Sequence, residues 1–90
     1  MYPWEVKLSK KADKARTNLP DLQRDFFDTL VRDLERFGPV QGGWPNYSKL
    51  GKDLRHCHLS PKWVACWEVK DKKIRLLEVY YVGSRKDAPY

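Results

Sequence analysis

Trp4, Val6 and Leu8 alternate with Glu5 and Lys7, the two-residue period of a strand buried on one face. Ser9 follows with a side-chain oxygen suited to capping a helix, and Lys10 to Thr17 reads as a short, very basic helix. Asn18-Leu19-Pro20 breaks it, and Pro20 suits the first turn of the next. That second helix is the clearest element. Leu22, Phe26, Phe27, Leu30, Val31, Leu34 and Phe37 form one broad apolar stripe, with Asp, Arg and Glu on the opposite face. Gly38-Pro39 ends it.

Residues 38–53 carry Gly38, Pro39, Gly42, Gly43, Pro45 and Gly51, so this stretch is expected to be irregular. A connection of that length on a small scaffold is either functional or a surface loop pinned to the core by Trp44 and Tyr47. Beyond it the pattern predicts strands over residues 54–59, 62–69 and 74–82, with turns at Ser60-Pro61 and Lys70-Asp71-Lys72-Lys73. A strand, two helices and a three-stranded antiparallel meander in one twisted sheet make an α+β fold, expected to form a single domain over residues 1–90. With Asp71-Lys72 as a two-residue loop, Glu68 faces Arg75 across the hairpin. Trp63, Ala65, Trp67, Val69, Ile74, Leu76, Tyr80 and Val82 then share the core face. Val64, Cys66, Glu68, Arg75, Leu77, Val79 and Tyr81 share the other, with Arg85 joining them.

Composition adds a partner. Eighteen Lys and Arg against twelve Asp and Glu give a net charge of +6, which points to a polyanion, nucleic acid first. No apolar run approaches the roughly 20 residues of a membrane span. Met1-Tyr2-Pro3-Trp4-Glu5 has neither the basic nor the apolar region of a signal peptide, so a cytoplasmic protein is expected. Cys57 and Cys66 are too few for a secreted disulfide scaffold of this size and read as reduced thiols within a sheet.

Candidate chemistry begins at His56-Cys57-His58, where a strand points both histidines to one side and the cysteine to the other. They are either hydrogen-bonded strand residues or a contact to a nucleic-acid group, whose proton an imidazole is suited to take. A zinc site is disfavoured, because Cys57 and His58 face opposite ways and no C-x-x-C exists; no metal or cofactor is expected. In the tail, Arg85 offers a planar cation that matches phosphate, and Tyr90 a ring able to stack or transfer a proton. Cations and aromatics interleave through the second half, as single-strand binders require. The expected RNA-binding set is Lys49, Lys52, Arg55, His56, Lys62, Tyr81 and Lys86, with Trp44 and Tyr47 as further stacking candidates.

His58-Leu59-Ser60-Pro61-Lys62-Trp63-Val64, Trp67-Glu68-Val69 and Val82-Gly83-Ser84-Arg85 resemble the C-terminal half of the RelE/ParE toxin superfamily, and most of all its YafQ-like group. The N-terminal half matches only in its pattern of elements. The resemblance implies a RelE-like fold and a ribosome-dependent mRNA endonuclease that works without metal and is neutralised by a cognate antitoxin. It further implies catalytic roles for His58, for Arg85 as the phosphate-binding cation after Val-Gly, and for Tyr90 near the C-terminal aromatic. Lys62 stands where the YafQ-like group has an acidic residue, and Val64 where the RelE pattern has an arginine. Two other readings stay open: a ParE-like toxin acting on DNA gyrase without cutting RNA, or a non-toxic nucleic-acid-binding homologue. A two-residue Ser60-Pro61 turn would set His58 beside Trp63 on the core face, and a one-residue change there would return it to the other face, whose mixed residues could line a wet cleft.

Overall fold

A computed structural model of the chain describes residues 3–90. The elements are β1 (Glu5–Leu8), α1 (Lys10–Thr17), α2 (Asp21–Phe37), β2 (Ser48–Lys49), β3 (Leu54–Ser60), β4 (Trp63–Asp71), β5 (Leu76–Ser84) and a closing 3-10 turn (Arg85–Asp87). Both helices form where capping and periodicity place them. The Ala12 amide donates to Ser9 Oγ at 3.0 Å, satisfying one of the orphan donors of α1. Helix α2 stops at Gly38, whose φ of +86° lies in the region glycine favours and whose N–H donates to Leu34 O at 2.9 Å. A Cβ there would come within 2.7 Å of the Trp4 indole nitrogen, so the site is closed to larger residues twice over.

The strands make one sheet in the order β1-β5-β4-β3-β2, with β1 parallel to β5 and every other pairing antiparallel. The expected α+β fold of strand, two helices and meander is therefore what forms, extended by the two-residue β2 inside the glycine-rich stretch. Phe27, Leu30 and Leu34 of α2 pack on one face of the sheet with Cys57, Leu59, Ala65, Trp67, Val69, Leu77, Val79 and Val82. The stripe on α2 is narrower than its sequence promised, since Leu22, Phe26 and Phe37 stay exposed. Trp44 and Tyr47 are pinned to the core: Trp44 Nε1 donates to Asp33 Oδ2 at 2.9 Å, and Tyr47 stacks on Trp67. No helix among the described residues is long and apolar enough to cross a membrane.

The β4–β5 register differs from the expected one. Val69 pairs with Leu77 and Asp71 with Leu76, so the loop spans Lys72 to Arg75 and Glu68 faces Glu78 rather than Arg75. Lys70 Nζ bridges the two carboxylates at 3.1 and 3.7 Å, offsetting their repulsion. The slip exchanges the faces of the start of β5. Ile74, expected in the core, is 68% exposed, whereas Leu77 and Val79 are fully buried. A second irregularity, between Cys66 and Trp67, leaves Tyr80 as the extra residue of β5 and returns Val82 to the core. Cys57 and Cys66 are free and buried, and burial pushes both thiols up to about 12.

Candidate active site

A bulge positions the central histidine. His58 pairs with Val64 and Ser60 with Trp63, which leaves Leu59 as the unmatched residue and Pro61-Lys62 as the turn. Leu59 goes to the core with Cys57, and His58 lies on the opposite face, at the end of the sheet where the β3–β4 turn meets the end of β5. It is not on the core face beside Trp63. Its amide donates to Pro45 O at 2.8 Å, which holds the glycine-rich loop against β3. The side chain is only 7% exposed, and Nδ1 is buried with no hydrogen-bond partner among the described residues. An unpaired buried imidazole nitrogen is costly, and a native structure that keeps one warrants a chemical reason. Burial first, then the neighbouring His56 and Arg85, hold His58 below the usual histidine pKa, so the ring is neutral at pH 7.

Arg85 stands across from it. Its amide donates to Lys62 O at 2.8 Å, tying the start of the 3-10 turn to the β3–β4 turn, while its guanidinium is solvent-exposed. His58, Arg85, Pro45, Asn46, Ser60 and Pro61 line a cleft of about 340 Å³. Pro61 and Arg85 also line a second hollow of about 510 Å³ with Lys62, Trp63, Ser84 and Lys86. The two share a wall and make one groove with Arg85 in the middle. Three cations, a neutral buried imidazole and a half-buried indole give that groove the makings of a single-stranded nucleic-acid site. Gly83 shapes it: a Cβ there would meet the Tyr81 hydroxyl at 2.9 Å, and that hydroxyl donates to Ser84 O at 2.7 Å.

Tyr90 folds back onto the sheet. Its ring lies 4.5 Å from that of His56, which is itself 5.8 Å from His58. Of the three expected catalytic residues, His58 and Arg85 line one cleft, while Tyr90 packs over His56 on the same sheet face and lines neither hollow. His56 is not available to RNA in this arrangement. It is 8% exposed beneath Tyr90, with Nδ1 3.1 Å from Ser48 Oγ, and burial holds its pKa below the usual value. Tyr90 shifts the other way, burial raising it above an ordinary tyrosine.

The expected RNA-binding set divides. Lys62 and Lys86 line the groove. Tyr81 is half-buried and committed to Ser84. Arg55 is buried, with Nε donating to Tyr47 Oη at 3.1 Å and Nη1 donating to Lys52 O at 3.2 Å. Strand alternation sets it on the face of Cys57, opposite the histidines, and that parity was readable beforehand. Lys49 is exposed on the edge strand β2, and Lys52 lies at the other end of the sheet. Sequence reasoning missed Asn46, whose φ of +54° suits an asparagine and which lines the cleft, and Ser48, whose partner His56 follows only from the β2–β3 register. No cluster of three or more His, Cys, Asp and Glu is placed to hold a metal among the described residues.

No protein-family model matches the sequence, and no curated protein matches it. Solved structures do. The chain superposes on the toxin of an archaeal RelE–RelB complex from Pyrococcus horikoshii OT3 with a TM-score of 0.75 at 19% identity, covering 96% of this chain and 99% of that one. The match to the E. coli DinJ–YafQ toxin–antitoxin complex has a TM-score of 0.71 at 18% identity over 93% and 94% of the two chains. A metal-bound toxin from Helicobacter pylori matches at 0.64 and 28% identity over 96% and 97%. With YoeB from Staphylococcus aureus and RelE from E. coli matching as well, the chain has the fold of the RelE-type toxin superfamily, the YafQ-like group included.

Proposed function

We propose that this chain is the toxin of a toxin–antitoxin pair and an endoribonuclease that cleaves mRNA, acting in the cytoplasm and on the ribosome. The observation that carries it is His58: buried, neutral, with an unpartnered nitrogen, opening onto a cleft that Arg85 shares. A neutral imidazole is the form that accepts a proton. In the proposed reaction His58 takes the proton of a ribose 2′-OH as that oxygen bonds to the adjacent phosphorus. Arg85 stabilises the charge of the phosphorane, and the P–O5′ bond breaks as the leaving oxygen is protonated. A 2′,3′-cyclic phosphate and a 5′-hydroxyl result. Lys62, on the groove wall, is the donor we assign to that step, with Tyr90, which packs over His56, as the alternative. Side chains suffice for every step.

The +6 charge and the antitoxin-bound state of the RelE and YafQ relatives support a small acidic or amphipathic antitoxin that masks the groove. Expression of the chain alone should arrest growth, with rescue by the antitoxin gene. Purified protein should cleave ribosome-bound mRNA in EDTA and leave cyclic phosphate ends. Growth arrest with intact mRNA would overturn the nuclease reading and favour a gyrase-directed toxin. A harmless chain that captures no small partner would overturn both.

A further inference from the structure

Of the lysines expected to bind RNA, Lys52 lies away from the groove, and at that far end it joins three lysines that the expected set did not include. Lys52, Lys70, Lys72 and Lys73 line a polar hollow of about 500 Å³ with Asp53, Val69 and Asp71. They converge from two segments, since Val69 N donates to Asp53 O at 2.9 Å and so holds the loop before β3 against β4. Two carboxylates, Asp53 and Asp71, stand in this hollow against four lysines. Asp71 Oδ1 accepts from the amides of Lys73 and Ile74 at 2.8 and 3.2 Å, and Glu68 and Glu78 share Lys70. Among the described residues no ion pair engages Lys52, Lys72 or Lys73. Arg75 adds a further exposed cation to the same turn, held at a φ of +54° where glycine or asparagine would be less strained.

We propose that this end of the sheet is a second anion site that takes the phosphate backbone of RNA, resting on the ribonuclease reading of the groove. The polar lining fits a phosphate chain better than an apolar helix face. Strand β4 separates the two sites by its nine residues, roughly 25 Å at about 3.3 Å per residue. A dinucleotide in the groove is too short to reach the lysines, whereas a longer RNA, or a second RNA segment, touches both. The lysine end therefore adds affinity and orientation without taking part in cleavage.

The test uses uncleavable 2′-O-methyl RNA and two variants on exposed positions, Lys52→Gln/Lys72→Gln/Lys73→Gln and Arg75→Asn, the second keeping a residue that tolerates the left-handed turn. The triple variant should bind a 20-mer roughly 10- to 30-fold more weakly and lower the salt slope by about 2, at about 0.7 per lost phosphate contact. Arg75→Asn should lower the slope by about 0.7 with thermal stability equal to or above the wild type, since asparagine relieves the left-handed strain. Binding of a 2′-O-methyl dinucleotide, which fits the groove alone, should stay as in the wild type. An unchanged slope for the 20-mer overturns the second site and leaves the nuclease reading standing. A lowered slope with no cleavage of ribosome-bound mRNA by the wild type does the reverse. A triple variant that binds the 20-mer normally but no longer binds polyglutamate would assign the patch to an acidic protein and also overturn the proposal.

Discussion

His58 and Arg85 face one groove but fail differently when removed. His58→Ala should cost about 10²–10⁴ in single-turnover rate, the range for losing one proton-transfer group. Because burial, His56 and Arg85 all lower its pKa, the wild-type rate should rise with pH through an inflection below 6.5 and be level by pH 7. Arg85→Ala should lose a similar factor, since in the proposed reaction its guanidinium stabilises phosphorane charge. It should keep the inflection and move it upward, as one cause of the depressed histidine pKa is gone. Rates for both variants from pH 5 to 9 decide the matter. A wild-type profile without an inflection below 6.5 would move proton transfer to Lys62 or Tyr90.

At the scale of elements, Gly38 is the joint between α2 and β1. Gly38→Ala places a methyl against the Trp4 indole in a backbone region nearly reserved for glycine, and should cost about 2–4 kcal/mol in a denaturant titration. Trp4 N donates to Glu35 O at 3.0 Å, so the damage should spread to the β1 edge, with faster amide exchange there. The helices were legible because their signals are local: the Ser9 cap, the apolar period of α2 and the Gly38 stop lie within a turn or two of what they control. Strand identity was legible for the same reason. Register was not. The extra residues Leu59 and Tyr80, and the longer loop at Lys72 to Arg75, are set by how the sheet packs on α2, and no neighbour in the chain announces them. His58 and Arg85 could be named from residue type and order. The distance from Lys52 to the groove, and the cover that Tyr90 gives His56, follow only from topology.

Acid should weaken the whole molecule. His56 and His58 are both held below 6.5 by burial, so between those lowered values and 6.5 the unfolded chain binds protons that the folded chain does not. Their contribution to stability is complete above about pH 6.5 and is lost as pH falls through the folded values. Urea midpoints should drop between pH 7.5 and 5, and His56→Gln/His58→Gln should flatten that drop. An equal drop in the double variant would place the acid sensitivity in the carboxylates instead.

The parallel pairing of β1 with β5 also sets an order in time. The strand near the start of the chain has its partner at residues 76–84, so the sheet closes on its most distant contact. Until β5 exists, Phe27, Leu30 and Leu34 lack Leu77, Val79 and Val82 to pack against, and Arg85 and Tyr90 have yet to be added. A chain elongated only as far as residue 75 therefore has an open core and an unbuilt groove. The sheet, and with it the proposed groove, is assembled only once residues 76–90 are free to fold.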